Sequence, residues 1–266
     1  MPAFTEISAE QLSRLIGLPD APTIVDVRTD EDFAADPRLI PTAIRLKHTE
    51  IAAAAPRFAG RRVVAVCQKG LKLSHGASAL LRDAGVAAET LEGGTLGWAA
   101  VGLPAIPAAK LPSTDLWVTR HRPKIDRIAC PWLIRRFVDP AARFLYVAPA
   151  EVEAVAERFG ATPFDVEGAF WSHRGAECSF DTMLAEWGLA TEALARLARV
   201  VRGADTNRHD LAPEAAGLLA LSVGLSRQYR DDLEQLAAGM ALYDALYRWA
   251  RDGFGEGHDW PAERKP

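Results

Sequence analysis

The sequence predicts an α/β domain, with a mostly parallel sheet and flanking helices, followed by a largely helical α+β domain. Three observations predict it. Short β-branched runs alternate with helical segments in the first part of the chain. Pro104, Pro107 and Pro112 then interrupt residues 102–114, a stretch with no helical apolar period. From residue 179 onward apolar residues recur at helical spacing. A chain of 266 residues is long enough for two domains, each with its own core.

In order, SAEQLSRLI reads as a helix capped by Ser8. TIVDV (23–27) and RVVAV (62–66) read as buried strands bounded by turn signals. HGASALLRDAG is a helix that starts near Ser74 or His75 and closes on Gly85, and AAETLEGG is a short strand before a glycine turn. The proline segment favours extended backbone and reads as a semi-rigid linker. Beyond it, WVT and RFLYV read as strands and APAEVEAVAERFG as a helix. Leu194, Leu197 and Val201 share one helical face; Leu236, Met240, Tyr243, Tyr247 and Ala250 share another. The boundaries expected are 1–107 for the first domain, 108–115 for the linker, 116–252 for the second domain and 253–266 for a polar, mobile tail.

Hydrophobic residues make up 49% of the chain and charged residues 25%, and the formal net charge is -4. That balance argues against a general nucleic-acid partner. No apolar run approaches the roughly 18 residues of a membrane span. The first residues carry no basic region followed by a long apolar run, so no secretory signal is expected. Three cysteines, a sparse and odd count, fit a reducing compartment, with the cytoplasm as the expected location.

Cys67 stands at the end of the RVVAV strand, in AVCQKGLKLS. Between Ile51 and Arg82 there is no acidic residue, while Arg57, Arg61, Arg62, Lys69, Lys72 and Arg82 are basic. A parallel strand delivers its last residue to the carboxyl edge of the sheet, where open α/β sheets bind ligands. In the turn to the next helix, backbone N–H groups and the helix N-terminus favour a thiolate, as do Lys69 and Lys72. Attack on an anionic sulfur donor suits that chemistry. The same residues also fit a buried cysteine beneath a loop of solvated lysines.

IVDVRTDEDF (24–33), CQKGLKLSHGASALL (67–81) and TLEGGTLGWAAVGLP (90–104) together resemble a rhodanese domain over residues 5–107. The resemblance implies that Cys67 is the persulfide-bearing nucleophile and that Gln68, Lys69, Gly70, Leu71 and Lys72 complete its anion-binding loop. It implies support from Asp26 and Arg28, an anionic sulfur donor, a thiol acceptor and no required cofactor. Lys72 stands where many members carry Arg, and PRLIPTAIRL replaces the usual His-Ile-Pro-Gly-Ala pattern. Related phosphatases carry Arg six positions after their cysteine; Leu73 occupies that place and argues against phosphatase chemistry.

In the second domain, residues 119–137 hold six Lys or Arg residues and one acid. Lys124, Asp126, Arg127 and Arg135, with Asp205 and Arg208 further on, are the candidate site residues. Pro131 is expected to break the helix there, and a solvated basic face is the plain alternative. Ser179 is the expected cap of a following helix. Cys130, His173, Cys178, Asp205 and His209 are chemically able to hold a soft or borderline metal ion, with Cys130, His173 and Cys178 the expected trio. KIDRIACPWLIRRF, FWSHRGAECSFD and RGADTNRHDLAPEAAGL resemble the C-terminal domain of chromate-resistance proteins of the ChrB type, over residues 116–251. The resemblance implies a role in oxyanion stress and chromate as a further ligand.

Two functions follow as expectations. One is a sulfurtransferase-like enzyme linked to chromate resistance. The other is a non-catalytic oxyanion or metal sensor or adaptor. The Cys67 loop and the 120–136 segment are expected to border a shared or adjoining groove, the alternative being sites that face apart.

Overall fold

The computed structural model describes residues 5–258. The first domain begins with β1 (Glu6–Ile7), α1 (Ala9–Leu15), β2 (Thr23–Asp26), α2 (Asp30–Ala35), β3 (Arg38–Leu39) and β4 (Ile44–Arg45). It continues with α3 (Ile51–Ala54), β5 (Arg62–Val66), α4 (Lys72–Asp83), β6 (Ala87–Leu91), α5 (Gly94–Ala100) and β7 (Ile106–Pro107). Strands β1, β6, β5, β2 and β4, in that order, form a parallel sheet. Ser8 caps α1: its hydroxyl accepts from the Gln11 N–H at 3.2 Å, and the Gln11 side chain accepts from the Ser8 N–H.

Side chains alternate across a strand, so β5 serves two cores. Val63, Ala65 and the adjoining Cys67 pack with Ala77 and Leu81 of α4. Val64 and Val66 face the other way, into a core that also holds Ile24, Leu91 and Trp98. That second core does not stop at the domain edge.

The second domain starts with β8 (Leu116–Arg120), α6 (Asp126–Leu133), β9 (Arg143–Val147), α7 (Val152–Phe159) and β10 (Thr162–Pro163). Helices α8 (Ser179–Trp187), α9 (Glu192–Asp205), α10 (Glu214–Gln228) and α11 (Asp232–Arg248) follow. Strands β10, β8 and β9 form a small parallel sheet beside the helices. Trp117, Trp132, Trp187, Phe164, Phe180 and Tyr243 are buried in its interior. The two expected apolar faces, Leu194–Leu197–Val201 and Leu236–Met240–Tyr243–Tyr247–Ala250, are buried in the same continuous core. Among the described residues no helix is long and apolar enough to cross a membrane.

The proline segment is fastened at several points. β7 pairs antiparallel with β3, the Ala108 N–H donates to Pro37 O at 2.8 Å, and Trp187 Nε1 donates to Lys110 O. The domains also meet directly. A Cβ on Gly17 would stand 2.6 Å from the Phe137 ring and 2.7 Å from the Tyr247 ring, so only glycine allows this approach. Residues 259–266 of the expected tail lie outside the described residues.

Pro131 does not break its helix; it lies inside α6, which passes directly into a π-helical turn at Ile134–Val138. A proline at this position withdraws the N–H that would bond the Arg127 carbonyl. The Tyr146 hydroxyl, from β9, donates to that carbonyl at 2.9 Å instead.

Candidate functional site

Two constellations carry chemistry. In the first, β5 ends at Val66 and α4 begins at Lys72, earlier than the Ser74 or His75 expected, so Lys72 belongs to the first helical turn. The loop between them packs backbone to backbone against the glycine pair that opens α5. The Thr95 N–H donates to Cys67 O and the Leu96 N–H to Gln68 O, both at 3.0 Å. Gly70 and Gly94 both have positive φ, 67° and 59°. A Cβ on Gly94 would collide with the Cys67 carbonyl, and one on Gly70 would come within 2.8 Å of three backbone atoms. With its carbonyls turned toward α5, the loop offers amide N–H groups to the cysteine sulfur.

Cys67 is 5% exposed. Burial pushes its pKa up, but hydrogen bonds from the Ser74 hydroxyl and from the backbone of Ser74, Leu71 and Lys69 outweigh it, and the pKa is lowered overall. Sγ lies 3.1 Å from Ser74 Oγ, which is also 3.1 Å from Leu71 O. The hydroxyl has one proton for two acceptors. It can serve Leu71 while the sulfur is a thiol and turn to the sulfur once a thiolate forms. Lys69 and Lys72 are exposed, and no acidic partner is recorded for either among the described residues.

Asp26 and Arg28 lie behind the site, each 2% exposed. Arg28 Nε and its terminal nitrogen bond the Asp26 carboxylate at 2.9 and 2.6 Å, and its guanidinium also reaches Asp36 O and Arg38 O. The pair ties the end of β2 to the α2–β3 turn. The Val27 N–H donates to Val66 O at 2.8 Å, one residue before the cysteine.

The second constellation gathers around His173. Its Nε2 lies 3.2 Å from Asp205, 3.4 Å from Asp165 and 3.5 Å from Asp126. Asp126 opens α6, Asp205 closes α9, and His173 and Asp165 come from the segment between β10 and α8. Ile125, which aims Asp126, has φ 41°, an uncommon conformation for a β-branched residue. Its N–H donates to Ser222 Oγ and its carbonyl accepts from the Tyr243 hydroxyl, both at 3.1 Å. Ser179 does not cap α8; Cys178 occupies the cap position. The Ser179 N–H instead donates to Asp126 at 2.6 Å and its hydroxyl to Asp165 at 2.7 Å. Asp165 also pairs with Arg120 and Arg127 at 3.1 and 3.4 Å.

Electrostatics divide the three carboxylates. Burial, then the charges of Asp205 and Asp165, pushes Asp126 well above the usual carboxylate range. Asp165 is lowered: bonds from His173 and Ser179, with the two arginines, outweigh its burial. Bonds to Asp165 and Asp205 raise His173 to about 10. Burial is also the leading cause that pushes the Cys130 and Cys178 thiols up.

The expected metal-binding trio is not what the fold assembles. His173 groups with Asp126 and Asp205, whose ligand atoms lie within 4.8 Å of one another; the sulfurs of Cys130 and Cys178 are not in that group. Arg208 pairs with its neighbour Asp210 at the surface. Most of the basic run is engaged internally: Arg122 by Ser226 O and Tyr229 O, Arg127 by Asp165 and His121 O, Arg136 by Asp244. Arg135 donates to Ala142 O and stacks over Phe144. Lys124 is exposed.

Nor, among the described residues, do Arg135 and Arg136 border a groove with the Cys67 loop. Arg135 and Arg136 line a cavity of about 670 Å³ with Thr23, Arg57, Arg61 and Arg62, at the starts of β2 and β5. Cys67 follows the end of β5, a strand of roughly 16 Å. The cysteine loop and this cationic cavity sit at opposite ends of the sheet. Sequence reasoning missed Asp165 and Ser179; an acid inside the apolar stretch TPFDV was the signal for the first.

Comparison with known proteins places both halves. The family described as ChrB, C-terminal domain, matches residues 117–250, half of the chain, and the rhodanese-like domain matches residues 8–101. Protein ChrB of Cupriavidus metallidurans is 36% identical over 132 residues, covering 49% of this chain and 39% of that protein. The chain therefore spans about two fifths of that relative's length. Among solved structures, a rhodanese-like domain protein from Staphylococcus aureus is 28% identical over 36% of this chain and 91% of its own, with a TM-score of 0.33. A thiosulfate sulfurtransferase from Pseudomonas aeruginosa is 28% identical over 39% of this chain and 19% of its own, with a TM-score of 0.34.

Proposed function

The chain belongs to the family of the ChrB C-terminal domain and carries a rhodanese-like domain ahead of it, and from that premise we propose that it is a sulfurtransferase-like protein serving chromate and oxyanion stress resistance. The observation that carries the reading is the Cys67 loop, where hydrogen bonds from Ser74 and the loop backbone favour the thiolate despite burial. The Cys67 thiolate attacks the outer sulfur of thiosulfate. A new S–S bond forms, the donor's S–S bond breaks, and sulfite leaves with the electron pair. The product is a Cys67 persulfide anion. Its charge is accommodated by the amide N–H groups of the loop and by the N-terminus of α4. Exposed Lys69 and Lys72 draw the anionic donor to the mouth of the loop. A thiolate acceptor then attacks the outer persulfide sulfur, takes it, and releases the Cys67 thiolate. Asp26 and Arg28 act as positioning residues that hold the strand end from which the loop departs.

Incubation with thiosulfate should raise the intact mass by one sulfur, reversed by a small thiol and absent in Cys67→Ser. Lack of any gain in wild-type protein across thiosulfate and other sulfane donors would overturn the proposal. A purely oxyanion-sensing role draws little support from residues 120–136, because Arg122, Arg127, Arg135 and Arg136 are engaged internally.

A further inference from the structure

The second constellation contains a mismatch between donors and acceptors. Three carboxylates converge on His173 Nε2, at 3.2, 3.4 and 3.5 Å. That nitrogen carries at most one proton, so it can satisfy one carboxylate. Asp165 has other partners, in Ser179, Arg120 and Arg127. Asp126 and Asp205 do not share those arginines. Asp126 is fully buried, and its Oδ1 has no hydrogen-bond partner. Leaving a buried carboxyl oxygen unpaired is costly, and native structures rarely do it.

A divalent cation resolves the mismatch. It can bind Asp126, His173 and Asp205 together, where one proton can bind only a single acceptor. Ligands about 2.1 Å from a first-row cation stand roughly 3 to 3.4 Å apart; His173 Nε2 lies 3.2 Å from Asp205, within that spacing, and 3.5 Å from Asp126, just beyond it. We propose that Asp126, His173 and Asp205 form a binding site for a single first-row divalent cation. Asp165, engaged by Ser179, Arg120 and Arg127, stands beside the site, 3.4 Å from the same nitrogen, and is not counted among the ligands. Two carboxylates with one imidazole make a hard-to-borderline donor set, suited to Mn²⁺ or Zn²⁺ and without thiolate. Three protein ligands leave coordination positions open. Of the three ligands, His173 lines a cavity of about 490 Å³ with Arg120 and Asp165, a route by which solvent or a small anion can reach the site and complete the sphere. This site is independent of sulfur transfer at Cys67.

The test uses the full chain, stripped with a chelator and titrated calorimetrically with Mn²⁺ or with Zn²⁺. The expected result is one cation per chain, with affinity lowered at least roughly 100-fold in His173→Ala and in Asp205→Asn and unchanged in Cys67→Ser. Both variants lie at the rim, where the His173 side chain is 40% and that of Asp205 18% exposed, so the fold should persist. Should either variant unfold, pulsed electron paramagnetic resonance of Mn²⁺ on the wild-type protein decides instead, because the proposal requires coupling to an imidazole nitrogen. No cation bound, binding unchanged in both variants, no nitrogen coupling, or a thiolate charge-transfer band with Co²⁺ would each overturn it.

Discussion

The Cys67 loop and the His173 cluster are built by opposite means. The loop is a contiguous run whose working groups are mainly backbone amides, held in place because Gly70 and Gly94 let two turns touch. The cluster takes side chains from α6, the segment before α8, α8 and the end of α9, held by Ser179 and two arginines. A site made of backbone should be broken by adding one methyl group. A site made of converging charges should be altered by removing one of them, and the fold should gain where the site loses.

The largest effect is expected from Gly94→Ala. It places a Cβ against the Cys67 carbonyl at a residue with φ 59°. Left-handed backbone and overpacking together predict a loss of about 3 kcal/mol or more. Thermal unfolding should then fall by roughly 10 °C, with persulfide formation lost as well. A wild-type melting temperature would show that the turns are not pressed together as described.

Asp126→Asn sharpens the contrast with the opposite sign. Burial and the charges of Asp205 and Asp165 raise this carboxyl's pKa, so above the usual carboxylate range folding must take up a proton there. Asn has none to take up and should stabilise the metal-free protein at neutral pH by about 1–2 kcal/mol. The same change should abolish cation binding. Chemical denaturation in chelator measures it; destabilisation would mean that the carboxylate is already satisfied in the metal-free fold.

A smaller effect tests the scaffold under the cluster. Tyr146→Phe leaves the Arg127 carbonyl without the donor that compensates for Pro131, at a cost of about 1 kcal/mol. Equilibrium denaturation that moves by much less would mean the carbonyl finds another partner.

The two regions were also unequally legible in the sequence. Strand, cysteine, glycine turn and helix follow one another along the first loop, so order alone placed Cys67 at the carboxyl edge of β5. What order could not show is that the lysines stay at the mouth while Ser74 reaches the sulfur. In the second domain the helical faces were readable from their period, and the site was not. His173 and Asp205 are both legible as possible ligands, but their meeting depends on how α9 ends beside α6. Asp165 sits at φ 50° in irregular chain, without a period or spacing to mark it. Counting soft ligands favoured Cys130 and Cys178, whereas burial raises both thiols and the fold gives His173 carboxylates for company. A run of arginines looked like an anion face because a sequence does not reveal which carbonyls and carboxylates engage them.

The central claim is that hydrogen bonds from the loop, not the nearby lysines, lower the Cys67 pKa and so favour the thiolate that attacks an anionic donor. Alkylation of Cys67 by a neutral reagent, followed against pH, tests it most directly. Only the thiolate reacts, so the rate rises as pH passes the cysteine's pKa. Because that pKa is lowered, the wild-type midpoint should lie below that of a free cysteine measured alongside. Ser74→Ala removes the leading bond to the thiolate and should move the midpoint to higher pH, while Lys69→Ala with Lys72→Ala should leave it nearly in place. A wild-type midpoint at or above that of free cysteine, or one moved by the lysines and not by Ser74, would contradict the account.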